Sequence, residues 1–357
     1  MNRLEKIAAM AREKGVDAIL VTADSTLHYA TSFRVEGFVL VTKEGQGWCY
    51  TDSRYIEAAT EAVTPLGYQV VMPEGSYPTF STPQELIDKC GIKTLGFEDL
   101  LMPVHDYNAY KAALSAELVP IGNGFEVLRE CKDELEIASI VAAQRIAESA
   151  LHEIVKMIKP GAYEDELAAE LEYLMRKKGG EGLAFSTIFL SGARTSMPHG
   201  KPMHKAIEAG DFVTIDFGAR KNGYCSDMTR TFAVGFATDE MKKVYNTVLG
   251  AQLAAIDALA VGKAGCEVDK VARDFIAAAG YGDYFRHGLG HSLGLDVHEN
   301  PRASMTYKGA FKEGNVITME PGIYIPGFGG VRIEDMLYLG PDGKRDLTEF
   351  PKELMIL

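Results

Sequence analysis

Apolar residues in the first third of the chain change repeatedly between helical and strand-like spacing. Residues from Leu4 to Ala11 recur at the spacing of one helix face, and Gly15 is a typical end for that helix. An apolar strand at 18–22 follows, and strand-like segments come next at 37–41 and 47–50. Helical and strand-like pieces continue to alternate beyond them. This succession predicts an N-terminal α/β domain built on a sheet.

The segment Pro120-Ile-Gly-Asn-Gly124 is the best candidate for a domain boundary, because proline and glycine interrupt regular elements. At 357 residues the chain is long enough for two domains. We therefore predict an α/β domain over 1–123 and a second domain over 124–357. In the second, a stripe of apolar positions predicts a long helix from Lys132 to Lys159, which the following Pro-Gly pair ends.

The second domain contains an internal repeat. A shift of 101 residues aligns glycine, acidic and apolar positions without gaps. Each half is predicted to be a long helix, a short loop, a second helix and a strand-rich segment. The aligned pairs are Gly161 with Gly262, Glu166 with Glu267, Leu167 with Val268, Leu174 with Phe275, and Gly179 with Gly280.

A β-hairpin is predicted where two alternating runs, 211–218 and 224–234, flank Asn222-Gly223. In that register Asp216 and Asp227 become diagonal neighbours on one face, with Cβ atoms about 7–8 Å apart. Two carboxylates so placed repel each other, so a positive partner is expected. The alternative is a pair of solvent-facing aspartates on an edge hairpin.

Three of the eight histidines fall within one glycine-rich segment of twelve residues: His287, His291 and His298. Glycine at this density disfavours a helix. The segment therefore predicts a loop or irregular strand that lines a pocket, where glycine permits close approach.

A third segment, 316–335, is predicted to form two strands joined by a turn rich in proline and glycine. Glu320 lies in an apolar run before a Pro-Gly break. Glu334 alternates with Arg332, so the two side chains share a face. A carboxylate in apolar surroundings needs an ion pair or a metal, and Arg332 alone could satisfy Glu334.

Taken together, these segments supply four carboxylates and one imidazole: Asp216, Asp227, His291, Glu320 and Glu334. This hard, oxygen-rich set could hold two divalent metals, and paired metals suit hydrolysis. It favours manganese, cobalt, iron or zinc over copper, and manganese is our choice.

Composition narrows the possible partners. The net charge of −13 argues against nucleic acid or an anionic membrane. Five scattered cysteines, an odd number, predict reduced thiols in a cytoplasm. The charged start Met1-Asn-Arg-Leu-Glu-Lys6 predicts a helix rather than a signal peptide, and no apolar run approaches about 18 residues.

Five short motifs resemble the pita-bread metallopeptidases of family M24, which comprise methionine aminopeptidase, aminopeptidase P and prolidase. The resemblance covers about 130–357 and extends to the N-terminal part through Thr51-Asp-Ser-Arg-Tyr55. It implies an α+β chain with an N-terminal α/β creatinase-like domain. The C-terminal pita-bread fold would be a curved antiparallel sheet backed by two pseudo-twofold helix pairs. The motifs are Asp216-Phe-Gly218, Ser226-Asp-Met-Thr-Arg-Thr231, His287-Gly-Leu-Gly-His291, Asp296-Val-His-Glu299 and Met319-Glu-Pro-Gly322.

The same resemblance implies a role for each ligand of the two metals, which would be Mn²⁺, with Co²⁺ or Zn²⁺ as alternatives. Asp216 would chelate one ion through both oxygens, Asp227 and Glu334 would bridge the pair, and His291 and Glu320 would complete the other ion. A hydroxide between the ions would be the nucleophile, with Glu320 as its proton acceptor.

Other residues match family positions around the substrate. His199 and His298 match histidines near the scissile bond, although His199 could also be an ordinary loop residue. His287 and Arg332 match residues that support the metal ligands. Arg302 falls where prolidase-like members carry an arginine for the free carboxylate of the substrate, although it could also be a solvated surface charge.

The two-domain, metal-complete members of this family cleave Xaa-Pro bonds, so the resemblance implies an Xaa-Pro dipeptidase acting on short proline-containing peptides. An Xaa-Pro aminopeptidase acting on longer peptides is the alternative. A metal-free binding module is a further alternative, but its signature is the loss of ligand positions, and all five are present. The resemblance also implies a homodimer.

Overall fold

The computed structural model of the protein describes residues 2–73 and 79–357. The contacts within the chain divide it between Arg129 and Glu130 into an N-terminal and a C-terminal unit. The boundary predicted after residue 123 lies at the start of the short helix that spans this division. Among the described helices, none is both long enough and apolar enough to cross a membrane.

The N-terminal unit is built on a mixed sheet whose central strand is buried along its whole length. Its helices and strands in chain order are α1 (Arg3–Lys14), β1 (Ala18–Val21), α2 (Asp24–Thr31), β2 (Gly37–Thr42), β3 (Gly47–Thr51), α3 (Ile56–Val63), a 3₁₀ turn (Thr64–Leu66), β4 (Tyr68–Val71), α4 (Gln84–Cys90), β5 (Thr94–Phe97), α5 (Val104–Ala113), β6 (Glu117–Pro120) and α6 (Gly124–Glu130). The described strands are ordered β4-β3-β2-β1-β5-β6, with β1 antiparallel to β2 and parallel to β5. The predicted α/β domain on a sheet is confirmed.

The first helix shows how local sequence determines its ends. Asn2 and Glu5 form a capping box at the start of α1, and Gly15 ends it in the left-handed conformation at φ 69°. The apolar stripe from Leu4 to Ala11 is buried, as its spacing predicts. Met1 lies outside the described residues.

The C-terminal unit combines two helix pairs with short antiparallel strands. Its helices and strands are α7 (Glu134–Ile154), α8 (Glu164–Lys177), β7 (Gly182–Leu183), β8 (Ile188–Ser191), a 3₁₀ helix (Gly192–Ser196), β9 (Phe212–Phe217), β10 (Ala219–Lys221), β11 (Tyr224–Cys225), β12 (Met228–Ala233), α9 (Asp239–Ala258), α10 (Gly265–Ala278), a 3₁₀ turn (Gly282–Tyr284), β13 (Gly290–Ser292), β14 (Glu299–Ala303), β15 (Val316–Met319), β16 (Gly322–Ile325), β17 (Gly329–Arg332), β18 (Asp335–Gly340) and β19 (Gly343–Asp346).

The two halves of this unit repeat the same helix pair. Shifting α8 by 101 residues places both of its ends on the ends of α10. The glycines before and after each of these helices have positive φ: 88° at Gly161 and 86° at Gly262, then 98° at Gly179 and 89° at Gly280. Each pair packs on its own buried apolar cluster. The internal repeat is therefore structural.

The long helix predicted over 132–159 is shorter at both ends than expected. It begins after Asp133, whose carboxylate accepts from the N–H groups of Leu135 and Glu136. It ends at Ile154, well before Pro160, so proline is not what ends the helix.

Candidate metal centre

The predicted hairpin places its two aspartates as expected. Lys221 pairs with Tyr224 around the two-residue turn, and Asn222 and Gly223 have positive φ values of 50° and 78°. The same register continues to Asp216, which pairs with Thr229. The strand predicted over 224–234 is interrupted, however, because Ser226 and Asp227 separate β11 from β12.

The prediction of two strands over 316–335 is wrong in number, because three short strands lie in this segment and β18 begins at its last residue, Asp335. β15 pairs with β18, whereas β16 pairs with β17, so the chain changes sheet twice. Glu320 and Glu334 lie at the two changes. The N–H of Glu320 donates to the Leu289 carbonyl and that of Glu334 to the Thr229 carbonyl, and these bonds replace a continuous ladder.

The five predicted ligands meet in one place. One ligand atom each from Asp227, His291 and Glu334 lie within 4.8 Å of one another. His291 Nε2 is 3.4 Å from Glu320 Oε1 and 3.7 Å from Asp227 Oδ2. Asp216 lines the same cavity, and its Oδ2 is 2.7 Å from the Arg332 guanidinium.

Two threonines that the sequence analysis did not identify hold these ligands. The Thr229 hydroxyl donates to Glu334 Oε2 at 2.7 Å. Thr318 Oγ1 accepts from the His291 N–H at 3.0 Å and is 3.5 Å from Glu320 Oε1. Thr229 stands two residues after Asp227, and Thr318 two before Glu320, so the period-2 spacing of strands could have identified both.

Arg332 contacts a different ligand from the one expected. Its guanidinium donates to Asp216 and, at 3.1 Å, to the Thr229 hydroxyl, so it reaches Glu334 only through that threonine. It also donates to the Tyr324 hydroxyl at 2.8 Å, which lies 2.9 Å from His287 Nε2. Because His287 Nδ1 faces the Gly288 carbonyl at 2.8 Å and must donate to it, Nε2 accepts from Tyr324.

The site carries an excess of buried negative charge. Burial and the neighbouring Glu334 raise the pKa of Asp227 well above its ordinary value. Burial, together with Glu320 and Asp216, does the same to the pKa of Glu334. Burial raises the pKa of Glu320 to about 8, although Arg332 opposes the shift. Carboxylates packed this tightly need either protons or cations.

The histidines are held neutral by the same burial. Burial lowers the pKa of His291 to about 3 and that of His287 to about 4, and it lowers the pKa of His298 as well. His291 Nδ1 donates to the Ser292 carbonyl at 3.1 Å, so its Nε2 lone pair points at the carboxylates. A neutral imidazole fixed in this tautomer is ready to bind a metal.

The donor set fits divalent cations. Donor atoms bound to one ion at about 2.1 Å can be up to about 4.2 Å apart, and the ligand atoms of Asp227, His291 and Glu334 lie within 4.8 Å of one another. Asp216 Oδ1 is buried and has no hydrogen-bond partner among the described residues. A cation between the carboxylates would satisfy this oxygen and neutralise the charge.

These shifts predict how the stability of the metal-free protein depends on pH. Above about pH 6.5 histidines are neutral in the unfolded chain, as they are in the folded one. Glu320 is charged when unfolded but keeps its proton in the fold up to about pH 8. The folded state therefore binds more protons, so the melting temperature in EDTA should fall between about pH 6.5 and 8.

Mn²⁺ should remove or reverse this fall, because metal replaces the protons on the carboxylates. Thermal melts at several pH values, with EDTA and with Mn²⁺, measure the difference. Equal slopes under the two conditions would contradict this account of the site.

The metal ligands open into a cavity of about 790 Å³. The predicted substrate residues His199, His298 and Arg302 line it, together with His287 and Arg332. Arg302 pairs with His291 across β13 and β14, and its side chain is exposed. The rings of His291 and His298 have centroids 4.4 Å apart. Apolar contacts to the cavity come from Phe185, Ile188, Pro198 and Val297.

Comparison with known proteins assigns the chain to a family. Residues 138–341 match metallopeptidase family M24, and residues 3–131 match the creatinase/prolidase N-terminal domain. The chain is 38% identical to the Xaa-Pro dipeptidase of Pyrococcus horikoshii over 99% of its own length and 98% of that protein.

Two solved structures are similar over nearly the whole chain. An Xaa-Pro dipeptidase from Bacillus anthracis is 40% identical with a TM-score of 0.95, covering 99% of each chain. An X-Pro aminopeptidase from Thermotoga maritima is 36% identical with a TM-score of 0.92, covering 98% of this chain and 100% of that one. The fold class predicted from the sequence is confirmed. The protein therefore belongs to metallopeptidase family M24, and it is a hydrolase with a creatinase/prolidase N-terminal domain.

Proposed function

We propose that the protein hydrolyses the Xaa-Pro bond of short peptides, most of all Xaa-Pro dipeptides, with the help of two divalent metal ions. The observation that carries this proposal is the group of buried carboxylates around the His291 Nε2 lone pair, in a cavity that three further histidines and three arginines also line. The dipeptidase names of the relatives support the substrate class.

Asp216, Asp227, His291, Glu320 and Glu334 would hold the two ions, which we take to be manganese because oxygen donors dominate the set. When bound, the ions supply Lewis acidity and a water molecule activated as the nucleophile. Arg332 and Thr229 orient the carboxylates of Asp216 and Glu334 before any ion arrives.

Side chains of the cavity would transfer the proton and donate hydrogen bonds to the substrate. Glu320, whose Oε1 lies 3.4 Å from His291 Nε2 among the ligands, would accept a proton from the attacking water and return it to the leaving nitrogen. His298 and His199 line the cavity, where an imidazole N–H can donate to the carbonyl oxygen of the scissile bond. The Tyr324 hydroxyl, fixed between Arg332 and His287, keeps this wall of the cavity in place.

The chemistry of the Xaa-Pro bond explains why its hydrolysis needs a dedicated site. An Xaa-Pro bond has no N–H to donate, and its ring restricts the backbone. The same cavity that holds the ligands is also lined by Val297, His298, Phe185 and Ile188. These apolar surfaces suit a pyrrolidine ring.

Arg302 supports dipeptides over longer substrates. Its position opposite His291 on the neighbouring strand puts a guanidinium near the ligands, where it can bind the free carboxylate of a C-terminal proline. A longer peptide would carry that carboxylate farther away.

Comparing two substrates tests the proposal. With Mn²⁺ we expect the purified protein to cleave Leu-Pro much faster than Arg-Pro-Pro. Leu-Ala serves as the control that lacks proline. Equal rates on Leu-Pro and Arg-Pro-Pro would favour the aminopeptidase alternative, and equal rates on Leu-Pro and Leu-Ala would contradict specificity for proline.

A further inference from the structure

Lys132 is a fully buried lysine close to the site. Its side chain is 1% exposed, and burial of an ammonium group requires partners. Its Nζ donates to Ser292 Oγ at 2.9 Å and to Glu299 Oε2 at 3.1 Å, and it lies 3.4 Å from the Glu130 carbonyl. The Glu299 side chain is only 8% exposed, so this is a buried ion pair.

The two side-chain partners of Lys132 each adjoin a histidine of the site. Ser292 follows His291 on β13, and Glu299 follows His298 at the start of β14. Ser292 pairs with Glu299, whereas His291 pairs with Arg302, so the register shifts between these two pairs. Lys132 therefore connects the two strands directly at a bulge.

A bulge changes the direction of the side chains beside it. Between β13 and β14 the chain turns back on itself, and the ring centroids of His291 and His298 lie 4.4 Å apart at an interplanar angle of 62°. The other carboxylate oxygen of Glu299 accepts from the Asp296 N–H at 3.1 Å. The Glu299 carboxylate thus closes the loop that carries His298, and Lys132 fixes this carboxylate to the strand.

The loop is packed closely around that carboxylate. A Cβ atom at Gly294 would lie 2.9 Å from both carboxylate oxygens of Glu299. A side chain at position 294 would therefore push the Glu299 carboxylate away from the backbone of the loop. The position of Glu299 is therefore set by two groups, the backbone of the loop and the ammonium of Lys132.

We propose that Lys132 is a positioning residue that holds His298 over the reacting carbonyl by locking Glu299 to Ser292. The inference rests on the proposed function, because it assigns His298 to the substrate. It concerns the loop rather than the metal ligands.

A double-mutant cycle tests the inference. Lys132→Met should lower kcat/KM for Leu-Pro by about 10- to 100-fold, the usual effect of losing a group that orients a site residue. In a His298→Ala background the same change should cost less than about 2-fold, because the two residues act as a unit. Equal costs in both backgrounds would overturn the inference.

Metal binding gives a readout that is independent of turnover. Titration calorimetry should show that Lys132→Met binds Mn²⁺ with the stoichiometry and affinity of the wild type. Loss of a metal would mean that Lys132 acts on His291 through Ser292, and it would overturn the inference. Glu299→Gln, which keeps the shape of the side chain, should reproduce the loss in kcat/KM if Lys132→Met folds poorly.

Lys312→Met is the matched control. Lys312 also pairs with a glutamate, Glu130, at 2.7 Å, but its side chain is 57% exposed, and within the described part of the chain its ammonium has no hydrogen bond to either histidine loop. We expect its kcat/KM to stay within about 2-fold of the wild type, because this half-exposed pair holds neither Ser292 nor Glu299. If the wild type does not cleave Leu-Pro, the proposed function is wrong. If it does cleave Leu-Pro but the Lys132 and His298 substitutions have additive effects, only the inference about Lys132 is wrong.

Discussion

Replacing Asp227 by asparagine should lower kcat/KM for Leu-Pro by at least about 10³-fold, more than the loss of a group that only orients a ligand. Asp227 is buried among Glu334, Asp216 and Glu320, and its oxygen lies 3.7 Å from His291 Nε2. An amide in its place cannot neutralise a second cation. Steady-state kinetics with Mn²⁺, together with elemental analysis of the purified variant, measure the effect.

A melting experiment distinguishes the loss of a metal ligand from misfolding of the Asp227→Asn variant. In the metal-free protein Asp227→Asn removes one member of a repelling group, so its melting temperature in EDTA should not fall. Asp239→Asn is the matched control, because Asp239 is fully exposed at the start of α9 and pairs only loosely with Lys242 at 3.7 Å. A variant that keeps wild-type activity after replacement of Asp227 would refute the metal centre.

Replacing Arg302 by methionine should raise KM for Leu-Pro by about 10- to 100-fold, which corresponds to a charge-assisted hydrogen bond of about 1.5–3 kcal/mol. The reason is the loss of the guanidinium on the strand beside His291, which we propose to bind the substrate carboxylate. Hydrolysis of Leu-Pro amide, which lacks that carboxylate, should change little. Measuring KM for the free acid and the amide side by side isolates the effect.

A second arginine that lines the cavity, Arg286, provides a matched control for Arg302. Arg286 also lines the cavity, but its Nε donates to the Asp283 carbonyl at 2.7 Å, which turns the group towards its own turn. Arg286→Met should therefore affect KM for Leu-Pro much less than Arg302→Met. If the order is reversed, Arg286 rather than Arg302 binds the substrate carboxylate.

Sequence patterns predicted the parts of the site that depend on local spacing. The Asn222-Gly223 turn determines the register that places Asp216 beside Asp227, and two residues are enough to specify such a turn. The second helix of each pair was likewise predictable, because the positive-φ glycines that flank it recur at the same offset.

Features that depend on distant partners were not predictable. Arg332 and Glu334 alternate along one segment, yet Arg332 turns to Asp216, 116 positions away in the chain. The strand breaks at Glu320 and Glu334 arise because their N–H groups donate to distant carbonyls, those of Leu289 just before β13 and Thr229 in β12. The role of Lys132 could not be predicted from the sequence. Its partners Ser292 and Glu299 are neighbours only because the register between β13 and β14 shifts at this point.

The most direct measurement is a crystal structure of the protein grown with Mn²⁺ and recorded at a wavelength where manganese scatters anomalously. We predict two anomalous peaks per chain, about 3.5–4 Å apart, with Asp227 and Glu334 contacting both and Asp216, His291 and Glu320 completing their ligands. A single peak, no peak, or peaks away from these five side chains would contradict the account.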